Sequence, residues 1–456
     1  MTVSYDVVVI GAQTGGSAAG FALAKKGLKV ALLDSKKHEK IGEKVCGDAT
    51  SPHYFERIKK ELGIPIEPPH DHEILQKIHG FYFISPDRES KLRLELPGAY
   101  IIDRFGFVRR LFKSAEDAGC EVLSSTRVRT PIVENDVVTG IEVRQDGNMT
   151  TLKAKVVIDA SGINAVIRRQ LDPHKTFMDK TVHGRDMCYC YREIRNLEYE
   201  IEEPAMMRLF FDQDLSPGGY YWAFPAGLTK VNAGLGVRVT GNQPSAKKQF
   251  MEHVLKGNKK FSGVDFREST LVHAGGARVP LRRPIDTLVW NGLCLVGDAG
   301  CTVKPTDGGG IGLSVVAAAM ASQPIAEAIE KGDVSREGPL WAYNVRFMRS
   351  VGAINAPLAL IKDVVIETTN REINEALSKG VLTAEDIDGI NAGHGMRLSH
   401  FSKIKRLWKG RRILGLLKKL RHAFNDYQKA ENFYKSYPED FNSFEDWRNK
   451  ILKLYS

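Results

Sequence analysis

The chain has 456 residues, so at a rough 150 residues per domain it holds two or three packed units and can bury a sizeable site. With 43% apolar, 26% charged and 9% aromatic residues it falls in the globular range and outside the disordered one. The net charge of +10 is uneven, because nine basic residues and no acidic one lie between Phe401 and Arg421, and the remainder is nearly neutral.

The first predicted strand, Tyr5 to Ile10, is a β-branched run of the kind buried on both faces of a parallel sheet. Gly11-Ala12-Gln13-Thr14-Gly15-Gly16 follows, then a helical stretch from Ser17 to Lys26 that stops at Gly27, and a second strand from Lys29 to Leu33 closed by Asp34. This is a βαβ unit with an acid 23 residues after its first glycine. Gly11 and Gly16 supply the first and third glycines of a dinucleotide loop, which lets backbone amides and a helix N-terminus approach a pyrophosphate. Gln13 stands where the second glycine is usual, and Asp34 is placed for ribose hydroxyls.

Strands recur at Val156 to Ile158 and Leu293 to Val296, which predicts a nucleotide domain assembled from discontinuous pieces: 1–75, 100–172 and 275–333. Between them, His79 to Phe83, Lys91 to Leu96, Cys188 to Ile194, Met207 to Phe211, Gly219 to Phe224 and Val231 to Val239 alternate or are rich in aromatics. They predict an antiparallel, substrate-facing sheet over 76–99 and 173–274. After Asp333, Ala, Leu, Lys and Glu dominate, so 334–456 is expected to be helical. The fold class is therefore α/β, Rossmann-like, with a second sheet and a helical C-terminal region.

Six cysteines give no disulfide framework, and Cys188-Tyr189-Cys190, facing one side of a strand, lacks the further ligands of a zinc site; no metal is expected. No uninterrupted apolar window reaches the roughly 18 residues of a spanning helix, and no basic n-region precedes the first strand, so a cytoplasmic protein is expected. The basic residues of 401–421 interleave with Ile404, Leu407, Trp408, Ile413, Leu417 and Leu420, which predicts an amphipathic helix or helix pair broken near Gly410. Its partner is expected to be an anionic membrane surface, at the inner face, rather than nucleic acid; a core-packed helix with a solvated basic back is the competing reading.

Leu295-Val296-Gly297-Asp298-Ala299 is a strand running into a Gly-Asp turn, followed by Gly308-Gly309-Gly310-Ile311 and a small-residue helix. With Asp159-Ala160-Ser161-Gly162, these segments resemble the flavin fingerprints of the FAD-dependent hydroxylase superfamily typified by para-hydroxybenzoate hydroxylase. Within it, the chain is most similar to the geranylgeranyl reductase family, including digeranylgeranylglycerophospholipid reductases. Cys46-Gly47-Asp48 resembles that family's Cys-Gly-acidic loop, and Pro217 to Pro225 fills its Pro-x-x-Tyr-x-Trp-x-Phe-Pro signature.

The resemblance implies FAD as cofactor, contacted by Gly11, Gly15, Gly16, Asp34, Cys46, Gly47, Asp48, Arg104, Val128, Asp298, Gly310 and Ile311. It implies an apolar tunnel with Tyr220, Tyr221, Trp222 and Phe224 as walls, Tyr220 and Trp222 with Cys46 being the catalytic candidates. Cys46 is read as a proton relay or redox regulator of the flavin, with a buried inert thiol as the alternative. The implied substrate is geranylgeranyl diphosphate or a digeranylgeranyl glycerophospholipid, and the implied electron donor NADPH or a ferredoxin. The competing functions are a flavin-dependent hydroxylase or halogenase on the same scaffold and a non-catalytic prenyl-lipid-binding flavoprotein.

Overall fold

The β-branched N-terminal run forms the strand Thr2–Ile10, which pairs in parallel with Val30–Leu33 on one side and Asn148–Asp159 on the other. The computed structural model describes residues 2–391 and 411–455. Among these residues the strands form two eight-stranded sheets. In the first, Leu293–Leu295 pairs in parallel with Asn148–Asp159, so segments far apart in sequence lie side by side. Ile10 and Leu295 both pair with Asp159, which brings three strand C-termini to one level. The loops after them converge at that edge, where open α/β sheets bind their ligands.

The sequence reading missed the hairpin Thr126–Glu134 and Val137–Gln145, which joins this sheet antiparallel through Asn148–Asp159. These strands alternate only weakly and carry many exposed polar residues, so their hydrophobic signal is faint.

The second sheet runs in the order Ser269–Pro280, Met187–Leu197, Lys230–Arg238, Tyr221–Pro225, Met206–Phe210, Ile74–Ile84, Lys91–Ile102, Ala49–Thr50. All neighbours are antiparallel except Met206–Phe210 with Ile74–Ile84. Ala49–Thr50 and the second half of Ser269–Pro280 lie in the stretches expected for the nucleotide domain, 1–75 and 275–333, so this sheet crosses both boundaries. Ala49–Thr50 is the consequential intrusion, because it draws the Cys46-Gly47-Asp48 loop from the first sheet onto the second.

The helix Thr14–Ala24 packs against Ile311–Lys331. The latter is the one helix among the described residues long and apolar enough to cross a membrane by length and composition, and 78% of its most apolar window is buried inside the protein.

Beyond residue 333, helices at Trp341–Phe347, Ala353–Ile366, Asn370–Ser378 and Ala384–Asn391 lead to Leu414–Lys435 and Phe444–Leu454. Buried Asp286 fixes this region to the first sheet, accepting from Arg283 and, at 2.8 Å, from Arg448. Of the basic segment, 401–410 with Trp408 and the break near Gly410 lies outside the described residues. In 411–421, Ile413 and Leu416 are buried, and Leu417 and Leu420 pack with them against Ala376 and Val381. Ile413, Leu416, Leu417 and Leu420 therefore face inward, which corrects the expectation that Leu417 is free for lipid, while Leu414 is exposed. Arg412 and Lys419 reach Glu375 and Glu367 at 3.4 Å, and Lys418 and Arg421 are exposed.

Candidate active site

The converging loops of the first sheet and the inner face of the second enclose a cavity of about 370 Å³ that runs on between the C-terminal helices. Its polar end is built by the first glycine loop. Gly11 adopts φ +98°, and a Cβ on Gly16 would stand 1.7 Å from the Gly11 carbonyl oxygen, so only glycine lets the helix start this close to the strand. Asp34 stabilises the loop from the neighbouring strand, accepting from the Ala12 amide at 3.0 Å and the Lys36 amide at 2.9 Å. Gln13 takes the N-cap position of Thr14–Ala24 without disturbing this turn.

On the facing side, Asp298 projects from the Gly297–Gly300 turn, paired with Lys44 at 3.2 Å, and Gly310 caps the N-terminus of Ile311–Lys331. That first turn contains no acidic side chain, so its amides and dipole are open to an electron-rich partner. The first sheet's remaining loop is tied back by Asp159, which accepts from Ser161 and Ile167.

The cavity's aromatic wall follows from strand alternation. Tyr220, Trp222 and Phe224 face the cavity with ring centroids 6.0 and 6.2 Å apart, and Phe211 and Phe83 extend the series at 5.5 and 4.2 Å. Tyr221 is corrected: the same alternation turns it into a separate core, fully buried, with its hydroxyl donating to the Ser262 carbonyl at 2.8 Å. It does not line the cavity. Tyr220 donates to the Asp307 carbonyl at 2.6 Å, and burial pushes its phenol well above the usual value.

Opposite the wall lies the Cys46-Gly47-Asp48 loop, held by two residues that the sequence reading did not single out. Asn232 donates to the Cys46 carbonyl at 2.9 Å and to Asp48 Oδ2 at 2.8 Å, and accepts from Trp222 Nε1 at 3.2 Å. Arg192 donates to the Cys46 carbonyl at 3.0 Å and lies 3.6 Å from Asp48 Oδ2. The only signal in the sequence was a polar residue inside each strand, Arg192 following Cys188 and Cys190 at the same parity and Asn232 preceding Gly234 and Gly236. Burial raises the Asp48 carboxyl to about 6, against the pull of Arg192, Arg104, Asn232 and Cys46. Cys188 and Cys190 also line the cavity, their sulfurs 3.9 Å apart.

Of the predicted cofactor contacts, Gly15, Cys46, Gly47, Asp48, Arg104, Asp298, Gly310 and Ile311 line the cavity, as does Gln13. Gly11, Gly16 and Asp34 act behind it, within the loop. Val128 packs on the first core, in the strand whose first residue, Thr126, donates its amide to the Asp34 carbonyl; it does not line the cavity. FAD fits the residues present. The Gln13 amide nitrogen and oxygen, Arg104 Nε and Asp48 Oδ1 are all buried without a hydrogen-bond partner among the described residues, and such orphans call for a polar ligand. Beyond the wall the lining turns apolar, through Ile361, Val364 and Ile373 to Leu416 and Leu420.

A dinucleotide loop, a Gly-Asp turn and a second helix N-terminus meeting at one sheet edge define a flavin-dependent oxidoreductase. The FAD dependent oxidoreductase family model matches residues 6–176, and the geranylgeranyl reductase catalytic domain matches 186–279. The digeranylgeranylglycerophospholipid reductase of Sulfolobus acidocaldarius is 33% identical over 98% of this chain and 97% of its own. A second such reductase, from Methanopyrus kandleri, is 30% identical over 84% of this chain and 92% of its own. This chain belongs to the geranylgeranyl reductase family, and its cofactor is FAD.

Among solved structures, a geranylgeranyl bacteriochlorophyll reductase-like protein from Thermoplasma acidophilum superposes with TM-score 0.74 at 21% identity, covering 93% of this chain and all of that one. A flavin-dependent brominase reaches 0.64 at 17%, covering 85% and 94%. At these identities both show the common fold alone.

Proposed function

We propose that the protein saturates the isolated double bonds of geranylgeranyl chains carried on a glycerophospholipid, a step in isoprenoid membrane lipid biosynthesis. The observation that carries this reading is the continuity of one cavity. It runs from the unpaired Gln13 amide, past the Tyr220, Trp222 and Phe224 wall, to the apolar end at Leu416 and Leu420. A trisubstituted alkene has no carbonyl to absorb charge, so its reduction needs a hydride on one carbon, a proton on the other and exclusion of water.

Bound FAD, once reduced, supplies the hydride. The chain does the rest. Gln13, Arg104, Asp298 and the amides at Gly310 and Ile311 would hold the polar cofactor, while Gly11, Gly15, Gly16, Asp34 and Val128 would frame its adenosine end. Tyr220, Trp222 and Phe224 present ring faces, which stabilise positive charge developing at the more substituted carbon. Asn232 fixes the Trp222 ring and Asp307 the Tyr220 ring, so the wall does not reorganise during the step. The C-terminal helices shield the chain's far end from water.

NADPH or a ferredoxin delivers electrons from the surface, since the one dinucleotide loop is given to FAD. Exposed Lys418 and Arg421, with the basic residues of 401–412, bring the enzyme to an anionic membrane, as a peripheral protein of the inner face. The test is anaerobic incubation of dithionite-reduced holoenzyme with digeranylgeranyl glycerophospholipid and with geranylgeranyl diphosphate, followed by mass analysis. Added hydrogen pairs on the phospholipid, with flavin reoxidation, are expected. Flavin that stays reduced with both substrates would leave a non-catalytic lipid binder, and reaction only with the free diphosphate would move the substrate to the soluble pool.

A further inference from the structure

Alkene reduction leaves one requirement unassigned, the source of the proton. From the juxtaposition of a half-satisfied buried carboxyl with the aromatic wall, we infer that Asp48 is the catalytic acid, delivering its proton from Oδ1 to the alkene carbon that does not receive the hydride. This rests on the prenyl-reductase reading above.

Asp48 is buried, lines the cavity, and follows directly on the loop that faces Trp222 and Phe224. Its two oxygens are unequal. Oδ2 receives Asn232 and lies beside Arg192, whereas Oδ1 has no hydrogen-bond partner among the described residues. A carboxyl held through one oxygen keeps the other for a proton, and Asn232 and Arg192 then stabilise the carboxylate left behind. The side chain sits in the left-handed backbone region at φ +62°, a conformation maintained by the Ile102 amide donating to the Asp48 carbonyl at 3.0 Å and by the two bonds to the Cys46 carbonyl. Asn232 also holds Trp222, so proton source and cation-stabilising ring are positioned by one amide.

The groups that face this carboxyl are Arg192 from the Met187–Leu197 strand, Arg104 from the helix Arg104–Asp117, the Asn232 amide, and the Cys46 thiol, whose hydrogen bond also favours the ionised form. His273, on the Ser269–Pro280 strand, stands behind Arg192 at 2.9 Å, and Lys44 is turned to Asp298. Two cations beside a carboxyl ordinarily hold it ionised; burial outweighs them here and brings the proton into the physiological range, which an apolar chain filling the cavity extends. The other acids within reach are less suited, because the Tyr220 proton is committed to the Asp307 carbonyl and the Cys46 thiol is engaged with the Asp48 carboxyl itself.

The step balances. The Asp48 O–H bond breaks and a C–H bond forms from the alkene π pair; the other carbon takes the hydride, so the alkene gains two electrons and the reduced cofactor loses them. Asp48 remains as a carboxylate and recovers its proton from water on the half-exposed Cys46 side of the loop.

The experiment compares wild-type, Asp48→Asn and Asp48→Glu holoenzymes in two measurements. Infrared difference spectra across a pH titration, taken without substrate, are expected to show a protonated-carboxyl band that titrates above the ordinary aspartate range and is missing from Asp48→Asn. Single-turnover reoxidation by the prenyl phospholipid is expected to slow about 10²- to 10⁴-fold in Asp48→Asn with FAD retained. Asp48→Glu should recover part of it, and the wild-type rate should fall as pH rises through the infrared midpoint. Turnover of Asp48→Asn within a few-fold of wild type, or a wild-type band titrating at the ordinary aspartate value, would overturn the assignment. Loss of FAD from Asp48→Asn with full recovery on reconstitution would make Asp48 a cofactor contact instead. Absence of prenyl reduction by the wild type would overturn the function itself, while the infrared titration would still report the carboxyl.

Discussion

Replacing Asn232 by leucine keeps the side chain's approximate volume and removes three hydrogen bonds at once. Trp222 Nε1 loses its one acceptor among the described residues while 6% exposed, and a buried donor left unpaired costs about 1–3 kcal/mol. Asp48 Oδ2 loses a donor, worth about 1.5–3 kcal/mol while the carboxyl is charged, and keeps Arg192 at 3.6 Å. The Cys46 carbonyl retains its bond from Arg192, so its loss is small. The leucine's burial returns about 1 kcal/mol, leaving a net destabilisation of about 1.5–5 kcal/mol. Urea unfolding of the FAD-free protein at neutral pH gives this number, and at low pH, where Asp48 is neutral, the cost should shrink towards the Trp222 contribution. In a double-mutant cycle, Asn232→Leu and Asp48→Asn should couple by about 0.5–3 kcal/mol. A change below about 1 kcal/mol at neutral pH, or strict additivity in the cycle, would refute the three-way role of this amide.

Gly16→Ala should abolish FAD retention on gel filtration while the far-ultraviolet circular dichroism is unchanged, because the new Cβ forces the helix off the Gly11 carbonyl. Tyr221→Phe should lower unfolding stability by about 1 kcal/mol through its bond to Ser262 and leave the product distribution untouched, whereas Trp222→Ala should alter turnover. Leu420→Trp narrows the apolar end of the cavity, and mass analysis should show fewer reduced bonds per chain. Since burial raises Asp48 to about 6, its protonated form favours the fold: this contribution is present below about pH 4 and lost as pH rises through 6. Asp48→Asn should flatten the stability profile in that window by up to about 3 kcal/mol, read from melting temperature against pH.

What the sequence determined by itself is the chemistry written in short, local segments. Gly11 to Asp34 specifies a strand, a turn and a helix start through residues in contact along the chain. Pro217 to Pro225 and Cys46 to Asp48 carry the family's signatures as contiguous words, so the cofactor and reaction class were legible. Strand parity was partly legible too, yet Tyr221 was misplaced with its neighbours, because a signature names residue types and not the face to which each one turns.

The tertiary structure alone decided what lies between those segments. That Ala49–Thr50 joins the second sheet by pairing with Tyr100 and Ile101, and so carries Asp48 to Arg192 and to Asn232, 184 residues away, depends on contacts for which no local pattern exists. The inward face of Leu416 and Leu420 likewise follows from packing on Ala376 and Val381, which the helical periodicity of 411–421 fits as well as it would fit lipid. The raised carboxyl of Asp48 has the same origin: its value is set by desolvation against two distant arginines, and neither burial nor their approach is encoded near residue 48.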